Sequence, residues 1–515
     1  MPELQLDMLG GYETAPDIEL KHQTFKESLR HNIGNDFGIV SDKILDFVCR
    51  SIFSTRRHRL HNGYASHYCR VLDVFFGKRQ FSVINKELGL YDVIAADYTQ
   101  KLTRGIRPTA KLMECINRAV DQYLPDVDIA EHEDISESGG VLSRNVTGSN
   151  SKFKSNIPQA VQINVEALSQ LIKITPTDKR ETLVKAQAAV MLDLALETKK
   201  GFPKSWISQR YTEHKTGRLY SGGVSLQNCC KEVRHSALNQ LHSYDFDNCH
   251  FTILVQLTTK KVPTIRYYVK HKDEVRESLS NDLNLPIADV KQILISLGYG
   301  AKLGAYDDTH AISKICKTEE CYSLVKANVI ISGIHSEISA AAKEVVKNHT
   351  STKGRFAGKV VNKMGLVCDD RSINKKLSHI LQGYEVAALE VVTDITKGDT
   401  AALLHDGWVT YSKYNKVIFE RAVFEQLGIK LSVDYKPIEC KYFNSSKSVT
   451  PTTTNGFGTL LINGQRPVSS LVVVSNPFPS LPSKSTNNLD SIIAASAKLI
   501  TTRANDNICV SYWTL

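Results

Sequence analysis

Apolar residues recur three and four apart early in the chain, as at Ile44, Phe47, Val48 and Ile52, the spacing of one buried helix face. The first 130 residues therefore read as a mainly helical N-terminal region. Residues 182–199, TLVKAQAAVMLDLALETK, are rich in strong helix formers and predict a further helix. So does 371–389, RSINKKLSHILQGYEVAAL. Between Glu131 and Gln159 the pattern lapses into acidic and then Ser-, Gly- and Asn-rich sequence, the composition of a linker or mobile loop. From about 445 onwards Ser, Thr, Pro and Asn dominate, so the end of the chain reads as a low-complexity tail with TLLI and SSLVVV as candidate strands. No apolar run is long enough to cross a bilayer.

Four segments in the middle carry candidate chemistry. Thr216 to Asn228, TGRLYSGGVSLQN, is a glycine-rich turn with one arginine and then a Gln-Asn pair. Arg218 can reach a phosphate or a base edge, and Gln227 and Asn228 each offer donors and acceptors. By residue type alone this is a surface hairpin. In YDFDNCHFTIL, Asp245 and Asp247 stand two apart, which on a strand turns both to one face; like charges so close require a cation. In VKQILISLGYGAKLG, a helix reaching Tyr299 puts Lys291, Ile295 and Tyr299 on one face, an ammonium for phosphates and a ring for a base. LLHDGWVTY has apolar flanks around His405-Asp406-Gly407, the pattern of a tight hairpin turning at Asp-Gly.

The net charge of +10, from 64 Lys+Arg against 54 Asp+Glu, suits a polyanion partner, because neutralised phosphates release counterions. Arg56, Arg57, His58 and Arg59, followed by Tyr64, Tyr68 and Arg70, read either as a phosphate contact aided by stacking or as a solvated helix face. Eleven scattered cysteines are too sparse for a disulfide scaffold and fit reduced thiols. Cys49, His58, His61, His67 and Cys69 lack the paired spacing of a zinc site. MPELQLDMLGG lacks the pattern of a secretory signal, so an intracellular location is expected. A chain of 515 residues suggests a body of several lobes.

Taken in order, the segments resemble the family A (bacterial DNA polymerase I-like) polymerases over about residues 210–415. TGRL…LQN has that family's spacing, which implies that Arg218, Gln227 and Asn228 bind the primer-template. YDFDNC resembles the first metal motif. The resemblance implies Asp245 as the ligand of two Mg²⁺ ions, Asp247 as the alternative, and the backbone carbonyl of Phe246 as a further oxygen. A lysine, seven residues and then Tyr-Gly resembles the fingers helix, implying a triphosphate on Lys291 and a nascent pair under Tyr299, with Ile295 beside them. His405-Asp406 resembles the motif that supplies the second metal aspartate and a primer contact. Gln382-Gly383 resembles the helix that faces the minor groove. Four positions depart from the family. His250 stands where DNA polymerases carry a gating glutamate and phage-type RNA polymerases a glycine. Ile287 replaces an arginine, for which Arg276 and Lys272 are the candidate substitutes. Ser378 replaces an asparagine, and Gly407 follows Asp406 in place of Glu or Ser.

The resemblance implies an α+β right-hand fold. A thumb of helices over 160–215 would follow the linker at 131–159. The palm would comprise 216–260 and 360–445, the fingers 261–359 would be inserted between them, and a tail would fill 446–515. It implies a nucleotidyltransferase, a DNA-directed DNA polymerase with two Mg²⁺ ions, acting on nucleic acid and nucleoside triphosphates. No carboxylate cluster of the proofreading type precedes these segments. Tyr299-Gly300-Ala301-Lys302, Ile295 and the missing glutamate are shared with single-subunit RNA polymerases, which are the alternative. A non-catalytic nucleic-acid-binding relative, with His250, Ile287 and Gly407 as signs of decay, is the second. A compact polymerase of this kind is compatible with a virus or mobile element.

Overall fold

Alternation of buried aromatic and polar residues makes a strand of His242–Phe246, and this strand is central to an antiparallel four-stranded sheet. The order is Thr400–Leu404, Gly407–Thr410, His242–Phe246, Val433–Pro437. Tyr244 lies in register with both Trp408 and Tyr435. Its ring stacks on Trp408 at 5.5 Å and meets Phe419 edge-on at 5.3 Å, so one sheet face is locked by aromatic packing. Asp245, the next residue along, belongs to the other face.

In this computed structural model, residues 24–54, 65–66, 69–94, 105–123, 143–144, 153, 157–197, 204–308, 310–404 and 406–440 are described. They belong to a unit ending at Asn444; a second unit, Ser445–Leu515, where the low-complexity tail was expected, lies outside them. The cluster Arg56, Arg57, His58, Arg59, Tyr64 and Tyr68, with His61 and His67, also lies outside.

Two hydrophobic cores flank the sheet. One gathers Tyr244, Phe246 and Trp408 with the helices between Pro263 and Asn348 and the long helix Ile373–Thr396. The other joins Ala401, Ala402 and Val409 to the N-terminal helices Phe25–Phe37, Asp42–Ser54 and Ala110–Gln122. Helices Val165–Ile172 and Lys179–Leu196 share this second core, so the segment expected as a thumb packs with the N-terminal region. Asp193 on the longer helix accepts the Phe25 N–H at 3.0 Å, fastening the start of the first N-terminal helix. That region is mainly helical as read, with a three-stranded sheet of Ala65–Ser66, Gly105–Pro108 and Tyr91–Ile94 added.

The linker reading of 131–159 needs correction at its end. Ser143–Arg144 pairs with Ile157–Pro158, and Phe153 and Ile157 are buried in the core beneath the sheet. Two apolar side chains in polar sequence suffice to anchor it, since each gains about 1.5–3 kcal/mol on full burial. Among the described residues no helix is long and apolar enough to cross a membrane.

Candidate functional site

The hairpin expected to turn at Asp-Gly has Asp406 in its turn but Gly407 already in a strand, between Thr400–Leu404 and Gly407–Thr410. Gly407 is already in the strand, opposite Asp245. A Cβ there would stand 2.7 Å from the Tyr244 carbonyl oxygen and 3.2 Å from Asp245 Oδ1. The departure from Glu or Ser at this position thus has a local reason: the ladder approaches too closely for a side chain. Gly407→Ala is expected to destabilise the protein by about 1–3 kcal/mol, the usual cost of overpacking, read as a lower urea midpoint with unchanged slope. His405 itself lies outside the described residues.

This geometry brings Asp406 beside Asp245: the Asp406 carbonyl accepts the Phe246 N–H at 3.2 Å. The Asp245 side chain is accessible to water, yet enough protein surrounds it to raise its carboxyl. Desolvation first, then the charge of Asp406, push it up to about 8, against the pull of Lys291 and with Asp434 adding to the rise. Asp434 faces Asp245 on the adjacent strand. The Asp406 carboxyl is also raised, by desolvation and by Glu385, with Arg218 opposing. Two acidic groups that resist joint ionisation form a place for a cation.

Asp247, the alternative ligand, is not on the strand. It follows the last strand residue, gives its N–H to the Ser432 carbonyl at 2.9 Å and pairs with Lys272 at 2.5 Å. The expected shared face of Asp245 and Asp247 is therefore corrected, and Asp245 is the carboxylate left to face Asp406. Lys272 and Arg276, considered as substitutes for the missing arginine, both reach this end of the site. Arg276 donates to Asn248 Oδ1 at 3.2 Å and to the Tyr268 hydroxyl at 2.8 Å.

The helix carrying Lys291 spans Ile287–Gly298, and Tyr299 is its C-cap. Lys291 is exposed and, among the described residues, makes no ion pair; Ile295 and Tyr299 follow it along the helix, half-buried. Gly300 has φ +81°, and a Cβ on it would lie 2.4 Å from Asn374. Asn374 donates to the Gly300 carbonyl at 2.7 Å. Glycine after Tyr299 thus lets the helix end dock on helix Ile373–Thr396 in a left-handed conformation.

Arg218 is buried. Its Nε donates to Glu385 Oε1 at 2.7 Å, and its Nη2 reaches the other Glu385 oxygen and the Tyr299 hydroxyl at 3.0 Å. His250 Nε2 lies 2.7 Å from Glu385 Oε2, and its ring meets Tyr299 edge-on at 5.0 Å. Burial alone would raise the Glu385 carboxyl; Arg218 and then His250 overcome it and hold the carboxyl at about 2. Burial also pushes the Tyr299 phenol up to about 12, so it stays a neutral partner.

Three residues expected on the primer-template have other work. Gln227 is buried: its oxygen accepts the Ser221 N–H, and its nitrogen donates to the Leu219 and Leu403 carbonyls. It ties the Leu219–Ser221 strand to the strand ending at Leu404, and the expectation of a primer contact is corrected. Asn228 donates to the Ser221 and Gly223 carbonyls, bracing the same turn. Gln382 is buried, with its amide on the Ser378 hydroxyl at 3.1 Å, not turned outward to a groove. The adjacent glycine is needed for packing, since a Cβ on Gly383 would come within 2.6 Å of Asn362. Asn362 in turn donates to the Thr216 carbonyl at 3.0 Å, so TGRL is moored in the core and the surface-hairpin reading does not hold.

Glu385 was missed by sequence reasoning, although a lone acid inside an apolar helical run is a signal, since such groups are rarely buried unpaired. The carboxylates of Asp245 and Asp406 suit a hard divalent cation. Among the described residues no group of three or more His, Cys, Asp or Glu forms a protein-only cage. Compared with protein-family models and with curated proteins, the chain finds no match.

Proposed function

We propose that this chain is a template-directed nucleic-acid polymerase of right-hand type, forming phosphodiester bonds by two-metal nucleotidyl transfer, with DNA as its product. The observation that carries the reading is the convergence of Asp245, Asp406 and Lys291 from three separate segments, with the Lys291 charge felt at Asp245. In this reading the four-stranded sheet is the palm, and the helices between Pro263 and Asn348, inserted between its two halves, are the fingers.

Phosphoryl transfer needs positioning and charge neutralisation more than covalent chemistry from the protein. Asp245 and Asp406 would hold Mg²⁺, which when bound acidifies a primer hydroxyl and offsets charge on the pyrophosphate leaving group. Lys291, exposed and without an ion pair among the described residues, takes the triphosphate of the incoming nucleotide. Tyr299, at the C-terminal end of the same helix, offers its ring to the base. Arg218, itself paired with Glu385, holds that ring in place by donating to the Tyr299 hydroxyl.

The test is extension of a labelled primer on a DNA template with Mg²⁺, with dNTPs and NTPs supplied separately. Preferential dNTP incorporation is expected. Preference for NTPs moves the protein to the single-subunit RNA polymerase class, which Tyr299-Gly300-Ala301-Lys302 favours. No incorporation of either, on DNA or RNA templates, refutes the catalytic reading and leaves a nucleic-acid-binding protein.

A further inference from the structure

Two helices of the region between Pro263 and Asn348 meet at an elbow that carries a pair of thiols. Helix Ala311–Cys316 ends on Cys316, and helix Glu319–Ala327 holds Cys321 in its first turn. Between them Lys317 has φ +66°, a left-handed conformation that a lysine keeps only where its surroundings impose it. Here they do. The Lys317 N–H donates to the Ser313 carbonyl at 2.8 Å, and the Tyr306 hydroxyl donates to the Lys317 carbonyl at 3.4 Å. Thr318 then caps the second helix by accepting the Cys321 N–H at 3.2 Å. The reversal turns Cys321 back onto Cys316, whose thiol hydrogen-bonds to the Cys321 sulfur. Cys316 is buried and Cys321 half-buried, and both are free thiols.

The elbow packs against the helix that carries Lys291. Ile312 and Ile315 share one core with Val290 and Leu294 of helix Ile287–Gly298. The charge of Asp289, two residues before Lys291, reaches Cys316. On either side of the thiols, the buried hydroxyls of Ser313 and Tyr322 have no hydrogen-bond partner among the described residues. Polar groups left unsatisfied in a core mark a segment that is not at its best in one arrangement alone. We propose that Cys316 and Cys321 form a thiol–disulfide site, which a small-molecule disulfide oxidises to an internal bond, and that closing this bond loosens the helix carrying Lys291.

Cys321, the more exposed of the two, attacks the incoming disulfide as its thiolate and expels one small thiolate, leaving a mixed disulfide. The Cys316 sulfur gives up its proton, attacks Cys321 Sγ and expels the second small thiolate. The two cysteines lose two electrons and two protons, and one small disulfide becomes two thiols. Burial, then the charge of Cys321 and the hydrogen bond to it, push the Cys316 thiol up to about 12, so it keeps its proton while Cys321 reacts first. The new bond draws together sulfurs that were only in contact before. With Lys317 held at both its N–H and its carbonyl, the displacement passes to helix Ala311–Cys316 and through the packed core to helix Ile287–Gly298.

In the experiment the full chain is incubated with oxidised glutathione, its remaining thiols are alkylated, and the peptides are mapped by mass. Amide hydrogen exchange over residues 287–298 is followed in the oxidised protein, before and after dithiothreitol. The expected result is a Cys316–Cys321 link, with severalfold faster exchange over 287–298 that dithiothreitol reverses. Cys321→Ser, treated alike, should exchange as the untreated protein does; should it not fold, Cys316→Ala takes its place. Thiols at 316 and 321 that both remain open to alkylation, or glutathione held on Cys321 with no internal link, overturn the site. A link that leaves exchange over 287–298 unchanged overturns the coupling to the helix, and so does the same acceleration in the variant. Neither readout requires catalysis, so a chain that extends no primer refutes the polymerase reading and leaves this site standing. In a chain that does extend primers, oxidation raises the KM for the nucleotide that Lys291 binds.

Discussion

Asp406→Asn is expected to cut primer extension by about 10³-fold, from several kcal/mol of lost transition-state stabilisation at ~1.36 kcal/mol per decade, while making the metal-free protein more stable. The two effects share one cause. Desolvation and the neighbouring Asp406 hold the Asp245 carboxyl up at about 8, so the folded chain binds a proton there that the unfolded chain releases near pH 4. With more protons bound in the native state, unfolding free energy falls as pH rises between those values. The metal-free wild type should therefore lose stability from about pH 4 toward pH 8, and Mg²⁺ should restore more of it at the upper end. Asp406→Asn removes the repulsion and flattens the profile. The gain at pH 8 is about 1 kcal/mol, kept small because Asp245 is open to solvent, which screens the charge. Thermal melts across pH with and without Mg²⁺ measure it. A lower melting temperature for Asp406→Asn in EDTA at pH 8 would show that the two aspartates do not repel and would remove the argument for a cation between them.

The parts of the site legible in sequence were those whose meaning is local. A strand ending in aspartate, an apolar pair of strands around His-Asp, and a lysine and tyrosine eight apart on a helix each carry their own spacing. Asp245, Asp406, Lys291 and Tyr299 were singled out because those short segments, in that order, resemble the family's motifs. The partner of Arg218 was not, because Glu385 lies 167 residues away and no periodicity connects them. The same holds for Gln227 and Gln382: an amide looks alike whether it faces nucleic acid or clamps a backbone carbonyl, and only burial separates the two. Glycines misled in a consistent way. Asp-Gly read as a turn and Gln-Gly as part of a groove contact. In the fold, Gly407 and Gly383 are glycines because the Tyr244 carbonyl oxygen and Asn362 leave no room for a Cβ. The linker reading failed for Phe153 and Ile157 because composition averages over a window, while burial is decided residue by residue.

Glu385→Ala is expected to cost about 3–5 kcal/mol of stability, the penalty for leaving a buried charge without its partner, and to abolish extension. The Arg218 guanidinium, its side chain 10% exposed, would lose its main counter-charge, and Tyr299 would lose the arginine geometry that holds its hydroxyl. The double variant Arg218→Met with Glu385→Leu separates the two consequences. Well-packed apolar residues often replace a buried ion pair at little cost or with a gain, so this variant should recover most of the stability. It should not recover extension, since Tyr299 and His250 remain unheld. The pH dependence points the same way. The Glu385 carboxyl is held at about 2 in the folded chain, below its unfolded value. The native state therefore binds fewer protons than the unfolded one over that interval, and the contribution of the pair is complete above about pH 5 and lost as pH falls toward 2. Urea denaturation of wild type, single and double variants at pH 7 and pH 4 measures all of this. A double variant as unstable as Glu385→Ala would mean that charge balance is not what the pair supplies. A double variant that extends primers as the wild type does would mean that the arginine–glutamate unit holds the fold together but not the site.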